Sequence, residues 1–181
     1  MVATADLMTA QQLLEARNLG PCELVCGRLV ILPYTPWQEG LIASRLLGCL
    51  SRFVKHEVLG VAVGGRTGFQ IGHDPDMVRT ADVAFIRSDR IPCEGTEGYF
   101  QGPPDLAVEV VSPNDRAGEL LAKVQDWLAA GCRAVWVVDP TSQTVSVYRG
   151  LRETTLLTVD DELTNDELLP GFRLPVAQLF S

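Results

Sequence analysis

Residues 103–123 read PPDLAVEVVSPNDRAGELLAK, and the centre of this stretch, Leu106-Ala-Val-Glu-Val-Val111, decides the fold. A short apolar run bounded by Pro-Pro and Ser-Pro-Asn-Asp reads as a strand buried on both faces. Side chains alternate along a strand. Leu106, Val108 and Val110 therefore share one face, and Asp105, Ala107, Glu109 and Val111 share the other. A carboxylate among apolar neighbours is costly unless a metal ion, a cation or a proton accompanies it. Glu109 is thus the first candidate for function.

The residues that follow read as a turn and then a helix, with Asn114 or Asp115 as N-cap. Leu120, Val124, Trp127, Leu128 and Gly131 recur at helical spacing and predict a core-facing stripe. Lys123 flanks that stripe, within reach of the strand that carries Glu109. It also stands four residues after Glu119, in the favourable order for a solvated helix pair. On periodicity alone that pair is the better supported reading.

The rest of the chain supplies the frame. Residues 6–18 predict a short amphipathic helix with Thr9 as N-cap. Residues 22–32 predict a hairpin turning at Cys26-Gly27, and residues 36–58 a long helix with Thr35 as N-cap. Glu39 falls in the first turn of that helix, where a carboxylate complements the helix dipole, so it reads as a capping residue. Its core stripe is Ile42, Leu46, Leu50 and Phe53. Residues 60–71 and 80–87 predict two strands, with Asp82 at the start of the second and a solvated loop, containing His73, Asp74 and Asp76, between them. Further strands fall at 133–139, 144–150 and 153–159, and a short helix at 176–180. The order of elements predicts a mixed α/β domain with helices on both sides of a central sheet.

Composition bounds the function. With 181 residues, 46% hydrophobic and 21% charged, the chain suits one globular domain. No apolar run is long enough to span a bilayer, and the first residues lack the basic segment of a secretory signal. The five cysteines, at 22, 26, 49, 93 and 132, form no CxxC pair and read as small core residues of a cytoplasmic, reducing setting. Only two histidines are present, which disfavours a His/Cys zinc site. A net charge of −8 argues against a broad basic surface for nucleic acid.

Asp82, Glu109 and Lys123 together make an inventory for phosphodiester hydrolysis. Two carboxylates and the Val110 carbonyl are hard oxygen donors suited to Mg²⁺ or Mn²⁺. A lysine beside them can stabilise developing charge, or orient or deprotonate a water.

These residues sit in segments that resemble the Uma-two family of restriction-endonuclease-like proteins, within the PD-(D/E)XK nuclease superfamily. The likeness runs through CELVCGRLVIL, TPWQEGLIASRLL, RTADVAFIR, GPPDLAVEVVSPNDRAGELLAKVQDWLAAGCRAVWVVDP, TVSVYR and LPGFRLPVAQLF. The resemblance implies a single restriction-endonuclease-like domain over residues 1–181, with a mixed central sheet flanked by helices. It implies a Mg²⁺- or Mn²⁺-dependent endonuclease acting on DNA. Asp82 and Glu109 would be the metal-binding acids, with Val110 contributing its carbonyl. The superfamily lysine ordinarily stands two residues after the Glu, where this chain has Val111; in this family it maps to Lys123. Gln70 is a further candidate to line the site, and Glu39, at a position where relatives are expected to carry His, a candidate acidic ligand. Ala81 replaces the proline expected before Asp82. Arg66, Arg79 and Arg116 are candidate phosphate contacts. A homodimer suits cleavage of both strands of a duplex. The alternatives are a nuclease fold kept as a binding or regulatory module, and a metal-dependent hydrolase of another phosphoester.

Overall fold

The computed structural model describes residues 7–93, 97–113 and 115–181. Asn114, expected as a helix cap, lies outside the described residues. The central stretch folds as read: β6 (Leu106–Val110) is buried at every position, and α3 (Ala117–Ala129) follows it. The helix start differs from expectation. Arg116 is the N-cap without a side-chain bond, and Asp115 instead accepts the Ser112 N–H at 2.8 Å.

Around this unit the chain builds α1 (Ala10–Glu15), the hairpin β1 (Cys22–Val25) and β2 (Arg28–Ile31), and the long helix α2 (Trp37–His56). The pair β3 (Gly60–Gly72) and β4 (Met77–Arg87) comes next, then the short β5 (Phe100–Gln101). After α3 come β7 (Ala134–Asp139), β8 (Thr144–Gly150) and β9 (Glu153–Leu157). The small ladder β10 (Glu162–Leu163) and β11 (Leu174–Pro175), which the sequence did not suggest, and α4 (Ala177–Phe180) close the chain.

The main sheet runs β2-β1-β4-β6-β7-β8-β9, with β3 on the other edge of β4 and β5 beside β3. Among the described residues, only the β6–β7 and β3–β5 pairs are parallel. Helix α2 covers one face. Its Ile42, Leu46, Leu50 and Val54 pack on Val83, Phe85, Val108 and Trp136. Phe53, expected in that stripe, is half-buried, and Val54 takes the inward position. Helix α3 covers the other face with Val124 and Trp127, against Ala84, Ala107, Val135 and Val137.

Three local readings change. Thr35 does not cap α2; Pro36 occupies the N-cap, without a side-chain capping bond. Strand β4 begins at Met77, so Asp82 lies inside it and not at its start. Asp76 is not a solvated loop residue, because its carboxylate accepts the Ala10 N–H at 2.7 Å and anchors α1. Thr9 caps α1 as the sequence predicts, and Gln12 completes a capping box with it. Of the five cysteines, only Cys132 is buried.

Candidate active site

The site originates in a split along one edge of β4. With β3 paired along the whole of its other edge, β4 meets β1 at Val78 and β6 at Val83, Ala84 and Phe85. Between those contacts β1 and β6 diverge. Buried backbone N–H groups left without a ladder partner must find another acceptor. Carboxylates supply it here. Glu23 Oε1 accepts the Thr80 N–H at 2.9 Å, and Asp82 Oδ2 accepts the Val110 N–H at 2.8 Å. Two side chains thus stitch the gap that sheet topology opens.

Continued one step past the last pair, Val83–Val108, the β4–β6 register brings Glu109 level with Asp82. Glu109 Oε2 accepts from Lys123 Nζ at 2.8 Å and Oε1 from Trp127 Nε1 at 2.8 Å. Lys123 Nζ also reaches Glu23 Oε1 at 3.1 Å. Glu23 Oε2 in turn accepts from Arg79 Nη1 at 2.6 Å, and Arg79 continues to Asp126. A chain of alternating charge therefore runs from the sheet to the outer side of α3.

Burial pushes the Glu109 carboxyl up; Lys123 opposes this, Asp82 adds to it, and the group rests at about 7. Burial also disfavours the Lys123 ammonium, but Glu109 and Glu23 outweigh it and hold the lysine protonated, above its ordinary value. Desolvation raises Glu23, yet Lys123, Arg79 and the Thr80 N–H overcome it and hold that carboxyl below the usual range.

A cleft of about 360 Å³ opens over these groups. Asp82, Glu109, Val110, Lys123 and Glu39 all line it, so the structure brings five of the six sequence candidates together. Gln70 is the exception. It sits farther along β3, bonded to His73 and Gln101, and does not line the cleft. Lys123 is not a partner of Glu119, which instead faces Arg116 at 3.7 Å. Glu39 is not a cap. Its side chain is buried, and among the described residues Glu39 Oε2 meets no hydrogen-bond partner. Of the proposed phosphate contacts, Arg79 is consumed by Glu23 and Asp126 at 9% exposure, and Arg116 is outside the cleft. Arg66 lines it. Consecutive left-handed residues, Gly65 and Arg66 at φ 68° and 60°, break the β3–β4 register. Such backbone is costly for a residue with a Cβ. The Arg66 guanidinium donates to the Pro33 carbonyl at 2.9 Å and lies 3.9 Å from Asp82 Oδ1.

A sequence model of Uma2, described as "Putative restriction endonuclease", matches residues 10–177. The chain belongs to the Uma2 family. A crystal structure titled as "a putative nuclease belonging to DUF820", from Anabaena variabilis ATCC 29413, superposes with a TM-score of 0.82 at 22% identity. It covers 96% of this chain and 97% of that one, so the restriction-endonuclease-like fold predicted for the Uma2 chain is the fold observed. No curated protein matches. Among the described residues, no helix is long and apolar enough to cross a membrane.

Glu23, Thr80 and Trp127 are the site residues of this Uma2 chain that sequence reasoning missed. A signal for Glu23 was present: Cys22-Glu-Leu-Val25 is another short apolar run interrupted by a carboxylate, as around Glu109.

Metal-holding capacity follows from the donors. Among the described residues, no three Asp, Glu, His or Cys side chains converge into a ready-made metal cage. Mg²⁺ does not demand one; it is commonly held by one or two carboxylates and keeps several waters. Asp82 and Glu109 are donors of the kind such an ion takes, and the unpartnered Glu39 oxygen belongs to the same cleft. The lining adds up in the same direction, with Glu23, Glu39, Asp82, Glu109, Asp115 and Glu119 against Arg66, Arg79 and Lys123.

Proposed function

We propose that this protein is a divalent-metal-dependent nuclease that hydrolyses phosphodiester bonds in DNA. The observation that carries the reading is the facing pair Asp82 and Glu109 with Lys123 held 2.8 Å from Glu109. Asp82 and Glu109, with the Val110 carbonyl, would hold Mg²⁺ or Mn²⁺, and Glu39 has a free oxygen to add. When bound, such an ion polarises a phosphoryl oxygen and lowers the pKa of a water. In the hydrolysis, a water oxygen bonds to phosphorus and the bond to one ester oxygen breaks, leaving a phosphate monoester and a hydroxyl.

Lys123 serves as a fixed ammonium in this reading. Two carboxylates keep it protonated, so it orients water and offsets charge on the phosphoryl group, and it is a poor base. Glu23 and Arg79 act as positioning residues, because they fix the far side of the Lys123 ammonium. A second reading, a nuclease fold kept as a binding scaffold, draws on the fact that both Glu109 oxygens are already engaged by protein donors.

Calorimetric titration of Mg²⁺ and Mn²⁺ into wild type and Glu109→Ala, followed by plasmid nicking in the same buffers, separates the two. The nuclease reading expects binding and nicking in wild type and loss of both in the variant. A folded wild-type protein that binds neither ion favours the scaffold.

A further inference from the structure

The cleft has a second wall that the hydrolytic reading leaves unused. Besides the charged groups it is lined by Val25, Val30, Leu32 and Tyr34, together with Pro33 and Pro36. Trp37 follows Pro36 directly as the first residue of α2, next to the lining and not part of it. Among the described residues, Trp37 and Tyr34 are the most exposed large apolar side chains, at 83% and 82%. Neither contributes to the core, so packing does not explain them.

The charges of the cleft sharpen the question. A protein that grips a duplex does so mainly through free Lys and Arg on phosphates. Every cation lining this cleft is engaged: Lys123 by Glu109 and Glu23, Arg79 by Glu23 and Asp126, Arg66 by the Pro33 carbonyl with Asp82 beside it. Affinity for a nucleic acid must come largely from something other than charge. Base stacking on aromatic side chains is such a source, at about 1–3 kcal/mol per base, and it needs bases whose faces are free. The size of the cleft points the same way, because about 360 Å³ lies in the range of small-molecule sites and is not a trough for a double helix.

We infer that the substrate class is single-stranded or locally unpaired nucleic acid, with bases stacked on Tyr34 and Trp37 while the backbone crosses Asp82 and Glu109. This rests on the phosphodiester reading above and narrows it. The wall is also connected to the floor. Arg66 bonds the Pro33 carbonyl from the same bulge that sets it beside Asp82, so the aromatic segment is tied to the acidic pair.

The test uses fluorescence anisotropy of a labelled single-stranded DNA oligonucleotide, in Ca²⁺ to supply an oxygen-seeking ion. Competitors are the same sequence as duplex DNA and as single-stranded RNA, which also separates the two unpaired sources. Wild type, Tyr34→Leu and Trp37→Leu are compared; both positions are exposed, so the fold is retained. The inference expects single strands to compete well and the duplex poorly, and each substitution to weaken binding roughly tenfold or more. Trp37 also reports directly, since Trp127 and Trp136 are fully buried and its emission should change on binding. Equal competition by the duplex, no binding of any single strand, or unchanged affinity in both variants overturns the inference. So does a second copy of the chain seated on this wall, seen as a dimer in sedimentation that Tyr34→Leu or Trp37→Leu dissociates. Mg²⁺-dependent cleavage that survives both substitutions with unaltered binding sinks the stacking proposal and leaves the hydrolysis standing. Aromatic-dependent binding without cleavage does the reverse.

Discussion

The two faces of the central sheet are built from the same strands and are chemically unlike. On the α2 face, Leu106, Val108 and Val110 join the larger buried hydrophobic cluster, whose polar exceptions, Glu39 on α2 and the Trp136 Nε1, are isolated from one another by sequence and element. On the α3 face, one residue away, Ala107 begins the same kind of packing, and then Glu109 opens a buried chain of charge through Lys123, Glu23 and Arg79. A strand's two-residue period makes this separation possible. The α2 face obtains stability from area removed from water; the α3 face gives up some of that for fixed charges. Most of the buried charge thus lies on one side of the strand and most of the apolar area on the other, and the two sides meet at the cleft, where Val110 and Glu39 join Glu109.

The sharpest way to break the comparison is to delete one member from each side. Lys123→Met leaves Glu109 and Glu23 buried without their shared cation, and about 3–5 kcal/mol should be lost near neutral pH. Leu50→Ala on the opposite face should cost about 2–5 kcal/mol through a cavity. Size alone does not separate them, but pH does. Urea unfolding at pH 5 should recover much of the Lys123→Met loss, because the stranded carboxylates take up protons, while the Leu50→Ala loss stays constant. Equal pH profiles would mean that the charges of the α3 face are as well solvated as surface ones.

How far the sequence exposed this division depends on the residue. Glu109 was legible because a carboxylate inside an apolar run has few harmless explanations. Lys123 was ambiguous, since Glu119 offered a local partner and periodicity holds no information about a strand fourteen residues back. Arg79 was read as a phosphate contact and not as a buried ion-pair member, because the turn residues just before it mask the start of β4 at Met77. Glu39 was misread for a sound local reason: acids favour helix starts. Its burial is tertiary, on the same cleft that residues 32–36 line. The sheet order, with β1 and β6 sharing an edge of β4, is what gathers these residues, and non-local strand pairing leaves no mark on any single stretch.

A second contrast lies within the charged face itself. Glu109 sits at about 7 where an ordinary glutamate sits near 4.5. Below pH 4.5 it is protonated in folded and unfolded chains alike and contributes nothing. Between pH 4.5 and 7 the unfolded chain releases a proton that the folded chain retains, so rising pH destabilises the metal-free fold, and the cost levels off above 7. Glu23 runs the other way. Its lowered value adds stability that is present above the ordinary range and lost as pH falls through the folded value. Metal-free stability should therefore peak in mildly acidic solution, and Glu109→Gln should flatten the decline toward pH 8. An ion that needs the Glu109 carboxylate should bind more tightly as pH rises across the same window. Urea melts and Mg²⁺ titrations at several pH values check both trends; a wild-type profile that still rises from pH 6 to 8 would contradict them.

The smallest effect gives the cleanest comparison, because each face buries one tryptophan completely. Trp127 packs edge-on to Phe69, and its Nε1 donates to Glu109. Trp136 stacks on Phe172 on the apolar face, and among the described residues its Nε1 meets no acceptor. Replacing either by Phe removes a similar volume, a packing cost of about 1.5 kcal/mol or less. Beyond that the two should part. Trp136→Phe also removes a buried donor that was already unsatisfied, which offsets part of the lost packing. Trp127→Phe removes a donor from a buried carboxylate and should cost about 1–3 kcal/mol more. It should also push Glu109 further above 7, moving the decline in stability to higher pH. Equal urea midpoints for the two variants would show that the Trp127 indole fills space without holding Glu109. A gap of the expected sign would make this indole the point where the packing of α3 meets the chemistry of the site, since one side chain closes the hydrophobic layer with its ring and orients the carboxylate with its nitrogen.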